Sequence, residues 1–563
     1  TVNVTSPNLI NTQSATTDDS GHFRISNLPP GKYIVTVEAT GKGFSKFERK
    51  DVEVNLSRTS SLDVSLAAGQ VGATVDVTGG AATIDVTQNT TGTNISSDQF
   101  SNFPTQRTVQ SLYSIAPTVT RSGLRDSSGR ERDPSVGGSS GPENNYILDG
   151  VAVSDPAFGG SGANLPFEFV QEVEIKTGAF GAEYGKSTGG IFNVVTKSGG
   201  NEFHGDVFAY FSSKSMVRSV KAAAIPFVGS AADGFSEIDA GVDIGGPIVK
   251  DKTHFFLSVE RVQQDTTQSV STRGLFPDKD GVFDVPFRET MGVAKINHQL
   301  NPNNYLSVRY GYDKNEQPYG ANATTPPEGW GISTNKFHSA NVNLNSALSG
   351  GRLNEFVYQY SYFKNFISAN SNLPYEVFPN GVSVGQSVNT PQTTEQHKHQ
   401  FRNDFSWTMG KHDLRVGASF IYEPTLDITF STGQVNQYTR LSDSRTAPIS
   451  TITRNGSIGT GPGGSVGRIP NNQYAFYFQD GWRMNDKLTL DLGVRYDLVT
   501  GFAFDQSKNI IFAELQAAAK AGVFSRSGFP CPCIGFEDFG KEPAEDKNNI
   551  APRAGFTYDA KAD

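Results

Sequence analysis

The sequence predicts a mainly β protein made of an N-terminal β-sandwich, a small α/β domain and an incomplete transmembrane antiparallel β-barrel. Three observations predict this fold class. Apolar and polar residues alternate with a period of two over many segments, as in strands with two different faces. Short turns and long polar connections alternate along the C-terminal part, as in membrane barrels. No apolar run approaches the roughly 20 residues that a spanning helix needs, so a helical membrane protein is excluded.

The composition agrees with this fold class and limits the function. The chain has 563 residues, 36% of them hydrophobic and 11% aromatic, with 39 Phe, 19 Tyr, 59 Gly and 28 Pro. This length exceeds one ordinary domain, and the aromatic residues suit strands and the girdles of a barrel. The formal charge of -9 argues against a nucleic-acid partner, which usually needs a basic surface. Two cysteines provide no disulfide framework.

Residues 1–68 are predicted to form the β-sandwich. Four alternating segments are interpreted as its strands: His22–Ile25, Lys32–Val37, Val52–Leu56 and Ser61–Leu66. The runs Thr17–Phe23 and Leu28–Tyr33 resemble the carboxypeptidase regulatory-like domain, a carbohydrate-binding-like sandwich. That family has a further strand and turn before a segment like Val2–Val4, so we expect the chain to begin inside the domain.

Residues 96–200 are predicted to form the small α/β domain. A short helix is expected between Thr108 and Pro117, from three apolar residues at helical spacing: Val109, Leu112 and Ile115. Two strands are expected further along, at Tyr146–Val151 and Val170–Ile175.

The end of this region carries a long and specific motif. The run Gly178–Gly200 closely resembles the end of the plug domain of TonB-dependent outer-membrane receptors. The resemblance is strongest to the Oar-like group, which carries a carboxypeptidase regulatory-like domain in front of the plug. The segment Tyr146–Val151 is similar to the same family's plug. The resemblance therefore identifies residues 96–200 as a plug.

Residues 201–563 are predicted to form the first part of the barrel. In the segment Leu488–Leu498, every even position is apolar and every odd position is polar or glycine, apart from the aromatic Tyr496 at an even position. Three further segments alternate in the same way: Phe356–Tyr362, Phe401–Met409 and Leu414–Tyr422. We therefore expect one set of side chains to face lipid and the other to face the lumen. The lipid set is Leu490, Leu492 and Val494, and the lumen set is Asp491 and Arg495.

The connections favour a barrel over a soluble sandwich, whose strands also alternate. Short links join strands in pairs: Lys250–Lys252, Asn301–Asn304, Ser349–Gly351, Gly410–Lys411 and Asn485–Lys487. Long polar stretches separate the pairs: Asp313–Lys336, Asn365–His397 and Pro424–Asn471. One rim of tight turns opposite one rim of long loops is typical of outer-membrane barrels. About twelve strands are expected, whereas plugged transporters close with about 22, so we expect a C-terminally truncated barrel.

Residues 69–95 are expected to link the sandwich to the plug. In related receptors this neighbourhood carries the TonB box, a short extended segment that adds as a strand to periplasmic TonB. The resemblance marks seven consecutive residues as a candidate box: Ala73, Thr74, Val75, Asp76, Val77, Thr78 and Gly79. A plain linker, or one more strand of the N-terminal domain, is the alternative that the sequence leaves open.

Four arginines form a second group of candidate residues. Arg121, Arg125, Arg130 and Arg132 lie in a Gly/Ser-rich stretch of the plug. Plug loops of related receptors rise toward the ligand, so the resemblance implies contacts with an anionic substrate. The alternatives are ordinary solvated loop charge and arginines that line a polar barrel wall.

No catalytic, cofactor or metal site is predicted. The run Gly185–Thr188 looks like the end of a phosphate-binding loop, but the glycine needed five residues earlier is replaced by Phe180. His397 and His399 share a strand face without a third ligand nearby, so exposed polar side chains are the preferred interpretation. The segment Cys531–Cys533 is assigned to a long loop without a role.

The family resemblance implies a receptor and transporter of the Gram-negative outer membrane, with residues 1–68 in the periplasm, and neither an enzyme nor a cofactor-binding protein. The implied partners are TonB with its inner-membrane energising complex, outer-membrane lipid and an unidentified extracellular ligand, with no nucleic acid. The alternative function is a surface adhesin or carbohydrate-binding protein anchored by the barrel. An aromatic platform in residues 1–68 would favour that alternative, and this segment offers Phe23, Tyr33, Phe44 and Phe47.

Overall fold

The computed structural model describes residues 1–7, 9, 11–18, 21, 23–25, 28–39, 43–56, 60, 62–68, 74–76, 90–120, 133–154, 164–216, 235–430, 435–453, 470–485, 487–501, 517, 521 and 545–558. Their strands fall into an N-terminal sheet, a plug sheet and a large antiparallel sheet, with two small additional sheets. The predicted mainly β fold class is confirmed.

The N-terminal sheet has five strands: β1 Val2–Thr5, β2 Gln13–Ala15, β3 Gly31–Val37, β4 Lys46–Val54 and β5 Thr74–Asp76. Their order is β2-β1-β3-β4-β5, and all neighbours are antiparallel except β4 and β5, which are parallel. Alternate residues of β1 and β3, among them Val2, Tyr33 and Val35, point into one hydrophobic core. The period of two along these strands therefore produces one apolar face.

Two of the four strands expected in residues 1–68 are not strands in the structure. The described residues 23–25 and 62–66 belong to no strand. Their alternate apolar side chains nevertheless pack against the core: Phe23, Ile25, Leu62, Val64 and Leu66. The alternation therefore predicted correctly which of these side chains are buried. It predicted strand pairing wrongly, because a strand also needs a neighbouring segment with free backbone N–H and C=O groups.

The plug sheet lies between the N-terminal sheet and the large sheet in the chain. Its elements are β6 Thr91–Ser96, α1 Ser97–Phe100, α2 Val109–Tyr113, β7 Val119–Thr120, β8 Ser135–Val136, β9 Asn145–Leu148, β10 Val151–Ala152, β11 Val170–Gly178 and β12 Ile191–Thr196. The sheet order is β10-β9-β12-β11-β6, and β7 pairs with β8 separately.

The helix predicted after Thr108 is confirmed as α2. The Thr108 hydroxyl accepts a hydrogen bond from the backbone N–H of Ser111 at 3.3 Å, which is the usual role of a threonine at a helix start. The helix places Leu112 and Tyr113 on the plug core, where the Tyr113 ring lies 4.3 Å from that of Phe192. Among the described residues, no helix has both the length and the apolar character to cross a membrane.

The large antiparallel sheet, called the barrel sheet below, forms most of the remaining chain. In chain order the strands after the plug are β13 Val207–Ser213, β14 Phe235–Val249, β15 Thr253–Val270, β16 Gly281–Asp284, β17 Phe287–Asn301, β18 Asn304–Tyr319, β19 Gly331–Leu348, β20 Arg352–Ala369, β21 Tyr375–Val377, β22 Ser383–Val384, β23 Gln392–Met409, β24 His412–Phe430, β25 Gln437–Arg440, β26 Ile449–Thr453, β27 Asn471–Arg483, β28 Leu488–Thr500 and β29 Ile550–Tyr558. Twelve of them form the path β13-β14-β15-β17-β18-β19-β20-β23-β24-β27-β28-β29, and β16 pairs with β15. Within the described residues this sheet is not closed.

The two faces of the barrel sheet follow the predicted alternation. On β28, Leu492 and Val494 are exposed on the outer face, whereas Arg495 is buried on the face that holds the plug. The predicted tight turns all lie at one rim, as at Lys250–Lys252 between β14 and β15. We therefore distinguish a turn rim from the opposite loop rim.

The long polar stretches were predicted to be loops, and this was wrong at their ends. β18 continues to Tyr319 and β19 begins at Gly331, so the connection is far shorter than Asp313–Lys336. Likewise, β20 continues to Ala369 and β23 begins at Gln392, so the connection between them is shorter than the predicted stretch 365–397. The strands keep their backbone pairing after their outer faces become polar, because hydrogen bonding along the ladder does not require apolar side chains.

The loop rim carries a small folded unit that the sequence did not predict. Strands β22, β21, β25 and β26 form a separate four-stranded sheet from two connections that are distant in the chain. A cluster of buried apolar residues supports it: Leu275, Phe276, Phe378, Val382 and Val384. The ion pair between Arg440 and Glu376, at 2.9 Å, joins the two connections.

Candidate functional site between the plug and the barrel sheet

A two-residue turn brings one plug carboxylate to the wall of the barrel sheet. β9 and β10 form a hairpin whose turn residues have positive φ, 45° at Asp149 and 84° at Gly150. Asp-Gly is one of the pairs that such a hairpin turn favours. The position of Asp149 is therefore determined locally by the sequence Leu148–Val151.

Asp149 is the centre of a buried charge cluster. Its carboxylate accepts hydrogen bonds from the backbone N–H of Thr196 at 3.0 Å and from the Thr196 hydroxyl at 2.7 Å. Arg309 Nε lies 2.8 Å from Oδ2, and Lys295 Nζ lies 3.8 Å from Oδ1. Burial would raise the pKa of Asp149, but the two cations and the Thr196 bonds outweigh it and hold this pKa below its usual range. The charged carboxylate anchors the plug to β17 and β18.

Cations of β23 hold the residues that follow this turn. Arg402 donates a hydrogen bond to the carbonyl of Gly150. Lys398 Nζ donates to the carbonyls of Ala152, at 2.8 Å, and Ser154, at 3.4 Å. The hairpin of the plug is thus bound through its backbone by side chains of the barrel sheet.

Side chains of β27 and β28, near the C-terminal edge of the barrel sheet, bind the backbone of the glycine-rich plug segment 178–190. The Arg495 guanidinium of β28 donates to the carbonyls of Ala182, at 3.2 Å, and Glu183, at 3.1 Å. The side chain of Gln479, on β27, accepts from the backbone N–H of Ala182 at 2.8 Å. Backbone groups that a loop leaves unpaired are thereby satisfied by the barrel wall.

Glu183 adds a charged contact to this segment. Its carboxylate accepts from Arg415 of β24 at 3.0 Å. Burial would raise the pKa of Glu183, but Arg415 and further cations outweigh it and hold the pKa below its usual range. Next to it, Arg553 of β29 donates to the carbonyl of Phe180 at 3.1 Å.

Glycines allow the barrel side chains to approach this closely. A Cβ atom at Gly181 would overlap the Gln479 amide, and one at Gly185 would overlap the Arg495 guanidinium. A Cβ atom at Gly178, by contrast, would have no neighbour within 4 Å. The glycines of this motif are therefore not equivalent, since only some of them serve the contact with the barrel.

A third contact lies on the first strands of the barrel sheet. Arg107 of the plug lies 3.3 Å from Asp239 of β14 and stacks over the ring of Tyr210 on β13, with 3.8 Å to the ring centroid. Nearby, Glu260 of β15 accepts from the backbone N–H of Phe167 at 3.0 Å. Polar and charged contacts therefore fix the plug at both ends and at the middle of the barrel sheet.

A cavity of about 1340 Å³ lies between the N-terminal domain, the plug and the barrel sheet. Its wall includes buried polar side chains such as Asn341 and Gln400. Within the described part of the chain, Nδ2 of Asn341 and Oε1 of Gln400 have no hydrogen-bond partner. Such groups suit hydrogen bonding to polar molecules that enter the cavity.

The N-terminal domain rests on the plug and on the turn rim. Glu172 of β11, 1% exposed, accepts from the backbone N–H of Leu56 at 3.0 Å and from Asn94 at 2.6 Å. Burial raises the pKa of Glu172 above its usual range, although these two hydrogen bonds act against the shift. At the rim, Arg24 pairs with Asp413 at 2.8 Å. This domain therefore covers the turn-rim side of the cavity.

The candidate TonB box is described at three of its seven positions. Thr74–Asp76 form β5, whose partners on β4 are Lys46, Phe47 and Glu48. Ala73 and Val77–Gly79 lie outside the described residues. The centre of the segment is thus a fifth strand of the N-terminal sheet, which is one of the alternatives that the sequence left open. Its backbone has the extended form that strand addition also requires.

The other candidate residues fall into two groups. Arg121, Arg125, Arg130 and Arg132 lie outside the described residues, as does the segment Cys531–Cys533. His397 and His399 lie on the outer face of β23, where their Nδ1 atoms are 2.9 Å from Tyr360 Oη and 3.0 Å from Tyr358 Oη. No cluster of three or more potential metal ligands occurs in the described part of the chain.

The aromatic residues of the N-terminal domain do not form a platform in its described part. Tyr33 and Phe47 are buried in the core, and Phe23 packs against it. Phe44, 40% exposed, is the single exposed ring among the four candidates. Stacking on a sugar needs an open aromatic face, so this arrangement does not favour the carbohydrate-binding alternative.

The sequence interpretation missed the residues that hold the plug. Four arginines occupy inward positions of strands, where the alternation predicted polar residues facing a water-filled lumen: Arg309, Arg402, Arg415 and Arg495. The number of arginines at inward positions was the signal in the sequence that could have indicated contacts with the plug. Arg402 and Arg495 bind backbone carbonyls of the plug, which no sequence pattern marks. Arg309 and Arg415 bind the carboxylates of Asp149 and Glu183.

Comparison with protein families agrees with this architecture. The outer membrane beta barrel domain matches residues 195–281 and 282–563, which is more than half of the chain. The TonB-dependent receptor plug domain matches residues 82–191, and the carboxypeptidase regulatory-like domain matches residues 1–67. The chain belongs to the TonB-dependent receptors. Members of this family are receptors and transporters of the outer membrane and not enzymes.

Two curated relatives of this TonB-dependent receptor are similar over about half of its chain. The TonB-dependent transporter Oar of Myxococcus xanthus is 37% identical over 271 residues, which are 45% of this chain and 24% of the relative. The ferrienterobactin receptor of Escherichia coli (strain K12) is 26% identical over 301 residues, 46% of this chain and 40% of the relative. The matched part thus spans less than half of either relative.

Solved structures of outer-membrane receptors share the fold. The outer membrane transporter YddB from Escherichia coli superimposes with a TM-score of 0.58 at 16% identity, over 73% of this chain and 56% of that chain. FpvAI in its complex with pyocin S2 superimposes with a TM-score of 0.54 at 14% identity, over 84% of this chain and 54% of that chain. At these identities the likeness concerns the fold alone.

Proposed function

We propose that this receptor takes up an extracellular ligand across the outer membrane with energy delivered by TonB. The observation that supports this most directly is the position of the plug. It lies on the inner face of the barrel sheet, and side chains from β14 to β29 bind it. A ligand can pass only if the plug moves, so transport must be coupled to a force on the plug.

The contacts that hold the plug are suited to such a movement. Asp149 and Glu183 bind through ion pairs, and the segment 178–190 binds through backbone hydrogen bonds. Water can replace these polar partners when the plug shifts, whereas a large apolar interface would resist opening. The cavity beside the plug provides room for this change.

The energy has to come from the inner membrane, because the outer membrane holds no ion gradient. One charge that moves through 100 mV there releases about 2.3 kcal/mol. Ala73–Gly79 is the proposed point of attachment. Its described centre, β5, is an edge strand, so one backbone edge pairs with β4 and the other is open to a further strand among the described residues.

The proposed orientation places the turn rim and the N-terminal domain in the periplasm. Short turns of outer-membrane barrels face the periplasm, and long connections face the outside. The N-terminal domain contacts the turn rim through Arg24, and also through Asn11, which donates to the carbonyl of Asp251 at 2.9 Å. TonB would therefore meet the candidate box on the periplasmic side.

The ligand is proposed to bind on the opposite side, at the loop rim and the plug loops. We keep Arg121, Arg125, Arg130 and Arg132 as candidate contacts for an anionic group of that ligand, from their place in the plug sequence. Ligand classes differ among relatives with this scaffold, and a shared fold does not identify a ligand.

The test is binding of the purified periplasmic domain of TonB to the full-length receptor. Val75→Pro removes a backbone donor and restricts φ, so it should abolish binding and TonB-dependent uptake. Val75→Thr keeps the backbone and is the matched control, which should bind like the unchanged receptor. Outer-membrane abundance of each variant controls for folding. Unchanged TonB binding by the proline variant would remove this segment from the mechanism.

A further inference from the structure

The N-terminal domain reaches two turns of the barrel sheet that lie far apart. At one end, Asn11 Nδ2 donates to the carbonyl of Asp251, in the turn between β14 and β15, at 2.9 Å. At the other end, the Arg24 guanidinium donates to Asp413 at 2.8 Å and to the Thr408 hydroxyl at 2.5 Å, beside the turn between β23 and β24. The sheet path from β15 to β23 has five intervals of about 4.8 Å, so the domain spans roughly 24 Å of the turn rim.

Between these two ends the N-terminal domain lies on the plug. Leu56 donates its backbone N–H to Glu172 at 3.0 Å, and its carbonyl accepts from Asn94 at 3.3 Å. Both backbone groups of this one residue are therefore held by the plug. Nearby, Lys32 Nζ lies 3.7 Å from the carboxylate of Asp98 on α1. The domain thus has three supports, which are two turns of the barrel sheet and the plug between them.

The cavity between the plug and the barrel sheet is bordered by this bridge. The three residues that make the main contacts, Asn11, Arg24 and Leu56, belong to the wall of the cavity. The remaining wall on this side comes from turns of the barrel sheet and from apolar residues of the domain: Pro302, Asn303, Gly351, Leu9, Ile25 and Leu28. A displacement of the domain would therefore open the cavity on the turn-rim side.

The N-terminal domain has a core of its own and is attached by polar contacts. Its buried apolar residues form one cluster that includes no residue of the plug or of the barrel sheet. The core of the plug, by contrast, includes Phe256 and Val293 of the barrel sheet. Exposed ion pairs stabilise little, and the side chains of Arg24 and Asp413 are 45% and 41% exposed. The domain can thus leave its place at a much lower cost in free energy than the plug.

We propose that the N-terminal domain is a periplasmic gate, which closes the cavity when it is docked and has to swing away before a ligand is released. A ligand that passes the plug enters this cavity and meets the docked domain on the turn-rim side. The centre of the candidate TonB box, Thr74–Asp76, is a strand of the N-terminal sheet, so a pull on it acts on the gate as well as on the plug. The gate rests on the proposed uptake function and on the proposed orientation.

The test measures access to the cavity in the purified full-length receptor in detergent, without TonB. Ser307 of β18 lines the cavity three positions from the start of this strand at the turn rim, so Ser307→Cys places a thiol there. Cys531→Ser with Cys533→Ser removes the two native thiols of this chain. The probes are a maleimide on a long polyethylene glycol chain and the small N-ethylmaleimide. Ser271→Cys, at an exposed position of the loop rim, reports the intrinsic reactivity of each probe.

Arg24→Glu should raise the rate at which the large probe labels the cavity thiol about ten-fold. It replaces the attraction to Asp413 by repulsion and removes the hydrogen bond to Thr408, and contacts of these two kinds correspond to up to about five-fold each in an equilibrium. Asp413→Arg in the same chain restores the pair with reversed charges and should return the rate to its starting value. Lys50→Glu makes the same charge change on β4, where Lys50 pairs with Glu48 of its own domain, and should have no effect.

Three results would overturn the gate. Equal labelling by the large probe with and without Arg24→Glu would show that the docked domain does not close the cavity. An equal increase with N-ethylmaleimide would indicate a local change around Ser307 and not a passage for larger molecules. An increase that Asp413→Arg does not reverse would show that the contact with the turn rim does not hold the gate. Because the measurement uses neither TonB nor uptake, the outcome of Val75→Pro does not affect it, and the two proposals can fail independently.

Discussion

Arg309 of the barrel sheet and Asp149 of the plug form an ion pair in which Nε lies 2.8 Å from Oδ2, with the Arg309 side chain 2% exposed. Lys295 approaches the same carboxylate, and Thr196 donates two hydrogen bonds to it. One plug carboxylate thus compensates two buried cations of the wall. A buried charge without its partner is costly, so this pair should control how firmly the plug is seated.

Asp149→Asn should therefore loosen the plug. The change leaves Arg309 and Lys295 buried without a counter-ion, which costs about 3–5 kcal/mol when a buried pair is broken. The measurement is urea-induced release of the plug in the full-length receptor, followed by protease accessibility. Asp284→Asn, at an exposed position of β16, is the control. If Asp149→Asn combined with Arg309→Gln is as unstable as the sum of the two single changes, the ion pair is not the cause.

Docking of the N-terminal domain should depend on pH through Glu172. Because burial raises the pKa of Glu172 in the docked state, docking is tightest below its ordinary pKa and weakens as the pH rises through the raised value. Glu172→Gln should keep the bonds to Leu56 and Asn94 without a charge, and so make docking tight and independent of pH.

Hydrogen exchange of β3 and β4 between pH 4 and pH 8 measures this docking. Glu202→Gln removes an exposed carboxylate from the same chain and should leave the pH dependence unchanged. A Glu172→Gln variant that undocks at neutral pH would show that the negative charge itself is needed.

Gly185→Ala should disturb the segment 178–190, because the new methyl group overlaps the Arg495 guanidinium. Arg495 would have to leave the carbonyls of Ala182 and Glu183, and overpacking of this kind costs about 1–3 kcal/mol. Gly178→Ala, which meets no atom within 4 Å, is the matched control. Thermal unfolding of the two full-length variants provides the comparison, and equal midpoints would contradict the proposed contact.

The two faces of β19 should differ in their tolerance of charge. Val342 lies on the outer face, whereas the neighbouring Asn343 lines the cavity. Val342→Arg should cost about 2–4 kcal/mol near the membrane midplane, and Asn343→Arg should cost much less because its side chain enters a polar space. Folding equilibria of the full-length receptor in lipid vesicles measure both values. An equal cost would mean that the outer face of β19 is not in contact with lipid.

The sequence predicted local features that depend on a few neighbouring residues. The helix start at Thr108 follows from local backbone preferences, and the structure confirms it. The prediction of one strand over Tyr146–Val151 was wrong, because Asp149 and Gly150 form a two-residue turn with positive φ between β9 and β10. The alternation along β28 correctly separated Leu492 from Arg495, because a strand has a side-chain period of two. A long motif, Gly178–Gly200, identified the family.

Strand ends were less predictable, since they depend on neighbouring strands. The polar residues after Asp313 read as a loop, yet they continue β18 because β17 and β19 offer backbone partners on both sides. The segment 62–66 reads as a strand, yet no neighbour in the described residues pairs with it. Pairing is a property of two segments, and one segment shows only its own periodicity.

What the sequence by itself determined was the succession of domains, the two faces of the strands and the family. Only the tertiary structure decided which side chains hold the plug, because Arg309, Arg415 and Arg495 meet groups that lie more than 150 residues away in the chain. It also decided that Lys314 and Lys336 lie side by side, which depends on the register between β18 and β19. A shift of one residue would move the side chains of one strand to the opposite face, so the register decides which residues of the two strands share a face.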